Sequence, residues 1–203
     1  VKVDRTSPIF VKILKKIFQV LSSIYIGIFR GTPMMVQAVF IYYALLNVIH
    51  WTNLQAAIFV ISINTGAYMS EIIRSGIQSV DPGQMEAARS LGLSNGQAML
   101  NVILPQAIRN AFPAIGNEFI VNIKDSSVLM IISITELMFQ AKSIAGTTYK
   151  FSETYFIEAL IYLILTTVTS MILNLIEKKL NQTSSSLPQS VTTPEQMQFS
   201  GKE

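Results

Sequence analysis

The stretch DPGQMEAARSLGLSNGQAMLNVILP, residues 81–105, lies between segments too apolar for water. Asp81 has the side chain to cap a helix, and Pro82 fits the first helical position. Gln84 stands three residues after Asp81, where it can bond back to the cap. Met85, Ala88 and Leu91 then share one side. Gly92 ends the helix, because glycine adopts the left-handed conformation that a helix C-terminus needs. Ser94 and Gln97 make a second capping box. Ala98, Met99, Val102 and Ile103 form a second apolar face, and Pro105 marks the next boundary. This is a capped helix–turn–helix lying beside a membrane, with the physics of a docking element.

The flanking sequence supplies the membrane. Half of the residues are apolar and only 13% are charged, against roughly 25% charged in an ordinary soluble domain. Four segments approach the ~20 apolar residues that a spanning helix needs: 34–49, 54–73, 111–139 (too long for one plain span) and 155–176. Gln37, Asn64, Glu71, Asn117, Glu118, Asn122, Lys124 and Asp125 interrupt them. Lipid offers such groups no hydrogen bonds, so they must face protein or a watery path. The fold class is all-α, a polytopic helical membrane bundle of about four spans with a polar interior, plus the short helices of the loop.

Basic residues set the orientation, because cytoplasmic loops carry an excess of Lys and Arg. With both termini and the 74–110 loop in the cytoplasm, all fifteen lie inside except Lys142, Lys150 and, within a span, Lys124. His50 and Trp51 then mark an outer interface. In residues 8–30, Ile9, Ile13, Ile17, Leu21 and Ile24 form one stripe, and Lys12, Lys15, Lys16 and Gln19 the other face. That pattern suits an interfacial helix. The chain therefore divides into a cytoplasmic amphipathic connector, 1–30, a membrane domain, 31–180, and a polar tail, 181–203. The tail has too little apolar area to order itself.

Several functions are excluded. There is no cysteine and only one histidine, so thiol catalysis and Cys- or His-rich metal sites are out. A net charge of +3, scattered along the chain, does not suggest nucleic acid. No phosphate-binding G-x-x-x-x-G-K-[ST] loop occurs. No Ser/His/Asp set is visible either, so no catalytic residue, metal or cofactor is expected in this chain.

Glu86-Ala87-Ala88, Gly92 and, after nine intervening residues, Val102-Ile103-Leu104-Pro105 resemble the EAA loop of bacterial ABC importer permeases. Val102 stands where the usual pattern has Ile. FRGTPMMVQ (29–37), AYMSEIIRSGIQSVDPGQMEAARSLG (67–92), NEFIVNIKDSS (117–127) and LNLIEKKL (173–180) are similar to the polar amino acid branch. The resemblance implies a multi-pass subunit of the bacterial plasma (inner) membrane that carries amino acids. It implies a cytoplasmic ABC ATPase dimer that uses ATP and Mg, an extracytoplasmic amino-acid-binding protein and a second permease subunit, identical or sister. Gln84, Glu86, Ala87, Ala88, Gly92 and Pro105 would carry the coupling, with Glu86 orienting the loop and Gly92 permitting its turn. The family has five spans, and the connector looks like the segment just after the first of them.

Candidates for the substrate path come from spacing. Glu118, Asn122 and Asp125 are four and three apart and share a helix face. Lys124 offers an ion-pair partner, and Ser126 and Ser127 can end or kink the helix. A broken helix with exposed polar groups is a recurring way to hold a zwitterion in a membrane. Asn64, Tyr68 and Glu71 share another face, which Gln37 can join. Lys124–Asp125 as a structural pair and Glu71–Arg74 as an intrahelical salt bridge remain open alternatives. A self-contained secondary amino acid transporter is the competing class. It would need internal repeats, and the two halves show none.

Overall fold

The computed structural model describes residues 9–185, with side chains over 9–180. Eight α-helices succeed one another, with no strand among the described residues: α1 (Ile9–Gly31), α2 (Met34–Ile49), α3 (Asn53–Gln78), α4 (Pro82–Ser90), α5 (Asn95–Ala98), α6 (Leu104–Asp125), α7 (Leu137–Thr148) and α8 (Phe151–Ser185). A π turn, Met99–Ile103, joins α5 to α6, and a 3-10 helix, Ser126–Ile132, comes after α6. Helix α3 and the 151–180 part of α8 are each long and apolar enough to cross a bilayer. Two bent pairs bring the spans to as many as four. They are α1 with α2, bent by 112°, and Asn95–Ile132 with α7, bent by 55°.

Most of the close packing is between small residues. Ala38, Ala56, Ala57 and Val60 join Leu129 and Ile132 where α2, α3 and the 3-10 helix meet. Inside a membrane apolar side chains gain little from leaving lipid, so helices associate by close approach of small residues. A very close approach lies between α3 and α6. A Cβ placed on Gly76 would stand 2.6 Å from the Ala107 carbonyl oxygen and 2.8 Å from the Ala111 Cβ.

The segment 111–139, expected as one interrupted span, is three elements. Helix α6 ends at Asp125, the 3-10 helix tightens the chain to Ile132, and Glu136 restarts it by capping α7. Nor is Pro105 a boundary: it lies in the first turn of α6, and Asn95–Ile132 runs as one helix. The π turn explains this. The Leu104 N–H reaches back five residues to the Met99 carbonyl, and the widened coil just ahead of the ring relieves the crowding that a proline brings to a regular turn.

Helix α3 also exceeds the expected span, continuing to Gln78 as the lead into the loop. Trp51, expected as an interfacial anchor, packs against the α2–α3 core and tilts against Phe59 at 5.5 Å. Helix α8 runs to Ser185, past the expected start of the tail. Residues 1–8 and 186–203 lie outside the described part.

Gly76→Val should force α3 and α6 apart, at about 1–3 kcal/mol for overpacking. Thermal denaturation of the detergent-solubilised protein should show a lowered midpoint. Gly96→Ala, at a position with open space around it, is the control and should not lower it.

Candidate functional site

The hairpin of α4 and α5 is built from local bonds. Asp81 accepts the Gly83 N–H at 2.7 Å, with Pro82 at the first helical position. Gly92 takes φ +85°. Its N–H reaches the Arg89 carbonyl, and the Leu93 N–H reaches that of Ala88, the Schellman closure that favours glycine. Ser94 and Gln97 form the expected capping box at 3.3 and 2.9 Å. Val80, Ile103 and Ala107 make the core beneath, with Met85, Met99 and Val102 packed on it. Ala88 and Ala98 are buried.

Two expectations for the hairpin fail. Gln84 does not bond back to the cap, and its side-chain oxygen instead accepts from Gln106 at 3.4 Å. Leu91, expected to share a side with Met85 and Ala88, is 85% exposed, whereas Ala88 is buried. It is the C-cap of α4, where the chain turns outward. Glu86 and Ala87 are exposed too, and Glu86 has no side-chain partner among the described residues. The hairpin thus exposes an apolar side chain at Leu91 and, five residues earlier on α4, the carboxylate of Glu86.

Gln37 and Asn64, expected along the substrate path, are each 6% exposed and engaged within the protein. The Gln37 Nε2 donates to the Phe29 and Thr32 carbonyls at 3.0 and 2.9 Å. Asn64 Nδ2 donates to Gln37 Oε1 at 2.9 Å. Pro33 ends α1, and these amides satisfy carbonyls that the break sets free.

The remaining polar face is real and shared. Thr65, midway along α3, donates to Asn122 Oδ1 at 3.0 Å. Glu118 is 9% exposed, within reach of the charges of Asp125 and Arg30. Lys124 does not belong with them. It is exposed on the other side of α6 and makes no salt bridge with Asp125. Adjacent helical residues point about 100° apart, so the expected pair does not form. Ser126 bonds the Ile123 carbonyl at 2.8 Å and comes directly after α6. Tyr68 and Glu71 line an open cleft of about 400 Å³ together with Arg30, Ser75, Ser79 and Asn110. Glu71 pairs with Arg74 at 3.2 Å, as the intrahelical alternative has it, and with Arg30 at 3.8 Å. The Arg30 guanidinium also lies over the Tyr68 ring, 5.4 Å from its centre.

Sequence reasoning missed two groups. Arg30 enters the cleft from the end of α1, and only its place beside Gly31 and Pro33 hinted at a bend there. Glu136 accepts the Phe139 and Met138 N–H groups at 2.6 and 2.8 Å and the Tyr162 hydroxyl at 3.2 Å. Glu158, 6% exposed, sits within the field of that carboxylate. Glu158 and Tyr162, four apart in an apolar run, were the available signal.

Over residues 9–182 the chain matches the family described as "Binding-protein-dependent transport system inner membrane component". It is 41% identical over 166 residues to the probable amino-acid permease protein YxeN of Bacillus subtilis (strain 168), covering 80% of this chain and 74% of that one. It is 39% identical over 160 residues to the glutamine transport system permease protein GlnP of Escherichia coli (strain K12), covering 77% and 73%. Among solved structures it resembles one described as an amino acid ABC transporter with histidines, at TM-score 0.75 and 45% identity, covering 81% and 77%. An inward-facing MetNI methionine ABC transporter shares the fold at TM-score 0.70 and 19% identity, covering 81% and 76%.

Replacing Gln37 or Asn64 with Leu should lower the thermal midpoint, since each change strands buried partners at roughly 1–3 kcal/mol. The double variant should lose less than the two singles together, because the amides satisfy each other. Strict additivity in the same melts would separate the two roles.

Proposed function

The chain belongs to the family of binding-protein-dependent transport system inner membrane components, and from that premise we propose that it forms the membrane path of an ATP-driven importer of polar amino acids. Relatives named as glutamine and arginine permeases support the cargo class. ATP and Mg act in a separate cytoplasmic ATPase dimer, docked on α4 and α5. An extracytoplasmic binding protein delivers the cargo, and a second permease subunit completes the path. The hairpin and the C-terminus face the cytoplasm, in keeping with the distribution of Lys and Arg.

One observation carries the reading: the hairpin is mechanically continuous with a span. Helix α5 passes through the π turn into α6 without a break, and α6 lies against α3 at Gly76. Leu91 offers an apolar tip for a groove on the ATPase, with Glu86, exposed on α4, to orient the contact. Motion of that tip swings α6 against α3 about the Gly76 contact, and with it the face that carries Glu118, Asn122 and Asp125, relative to Tyr68 and Glu71 on α3. Carboxylates there suit the α-ammonium group of the cargo, and Arg30 suits its carboxylate.

The chain has no native cysteine, which makes a cross-link clean. Ser90→Cys should cross-link to a co-expressed ATPase in a way that changes with ATP. A folded, inserted protein that gives no cross-link would overturn the docking role. Glu86→Lys should lower uptake into proteoliposomes by about tenfold, the loss of roughly 1.4 kcal/mol of coupling, while ATP hydrolysis persists. Undiminished uptake would remove Glu86 from the contact.

A further inference from the structure

Helix α1 runs for 23 residues without burying one of them. Ile9, Ile13, Ile17, Leu21 and Ile24 are each at least half exposed, a stripe at helical spacing left bare among the described residues. Lys12, Lys16 and Gln19 run along the adjoining face at spacings of four and three, with Lys15 beside them. Gln19 stands between two open clefts. One, of about 440 Å³, is lined by Lys16, Val20, Ser23 and Ile24 as well as Gln19. The other, of about 520 Å³, reaches from Gln19 to Ser70, Ile73, Arg74, Ile77 and Gln78 at the hairpin end of α3.

The chemistry of this place is mixed in a specific way. Lys16 and Arg74 supply positive charge, and Gln19 and Gln78 supply amide donors. Arg74 uses its Nε toward Glu71, which leaves the other guanidinium donors for another acceptor. Such a set suits a phosphate oxyanion. Val20, Ile24, Ile73 and Ile77 stand beside the same groups and pass into the bare stripe. A soluble phosphate gains nothing from those apolar walls, whereas the acyl chains of a lipid do.

We propose that α1 and the hairpin end of α3 form a binding site for an anionic phospholipid, with the phosphodiester between Lys16 and Arg74 and the acyl chains along the isoleucine walls. The lipid belongs to the leaflet on the hairpin side. Because it leans on the last turns of α3, headgroup charge bears on the helix that leads into the hairpin. The proposal rests on the chain spanning a bilayer. It does not depend on the cargo or on the ATPase contact, so lipid retention is read separately from transport.

The test is native mass spectrometry of the protein released from vesicles of dioleoylphosphatidylglycerol mixed with dioleoylphosphatidylcholine. The wild-type protein should retain the anionic lipid over the zwitterionic one by about tenfold, in keeping with attraction by two or more basic groups near a surface. The double variant Lys15→Gln, Lys16→Gln should bring that preference close to one. Gln19→Glu, which places a carboxylate where the phosphate would sit, should do the same if the double variant fails to express. Equal retention of both lipids by the wild-type protein would overturn the site. So would a preference unchanged in the variants, or one abolished by excess inorganic phosphate.

Discussion

The contact of α3 with α6 at Gly76 is what the rest of the bundle depends on. No side chain fits between the two backbones there, since a single Cβ would meet a carbonyl oxygen at 2.6 Å. The approach fixes where α6 leaves the hairpin and where its polar face meets α3. On the hairpin side, Val80, Ile103 and Ala107 close beneath α4 and α5. Further along, Thr65 reaches Asn122. In lipid the gain from burying apolar area is small, so shape at this crossing does what a large core does in water.

A second constraint governs the other end of α1. A chain that breaks inside a membrane frees backbone carbonyls, and lipid cannot satisfy them. Here the break comes at Pro33, and Gln37 and Asn64 supply the missing donors to Phe29 and Thr32. Two amides expected along the substrate path are therefore engaged at the bend, where they satisfy its carbonyls. The same bend carries Arg30 to Tyr68 and Glu71, so the joint and the cleft are built by one stretch of chain.

What was legible in the sequence was local. Asp81, Pro82, Gly92, Ser94 and Gln97 act on groups within a few residues of themselves, and the caps and the turn expected from them form. Gln84 fails because a partner 22 residues away takes its oxygen. Pro105 misleads because the π turn is a change of backbone pitch that no side-chain pattern announces. Lys124 misleads because neighbours in sequence diverge on a helix. Arg30, and the link from Glu136 to Tyr162, were out of reach for a plainer reason. Their partners come from other helices, and helical periodicity names a face without saying what it will face.

The continuity of α5 with α6 gives the proposed coupling a lever. At ~1.5 Å per residue, Asn95 lies roughly 18 Å from the crossing at Ala107, and Asp125 roughly 27 Å beyond it. A rod held near Ala107 and pushed at the hairpin swings its far end the other way, by roughly half as much again. Pro113 lies inside that far arm, where it removes one ladder bond and lets the arm bend. The contact at risk in such a swing is the single bond from Thr65 to Asn122, beyond Pro113 from the crossing. The lock at Gly76, close to the fulcrum, moves least. In the proposed coupling, a small displacement at the hairpin would be felt where Glu118, Asn122 and Asp125 stand, while the packing at Gly76 would be left nearly undisturbed.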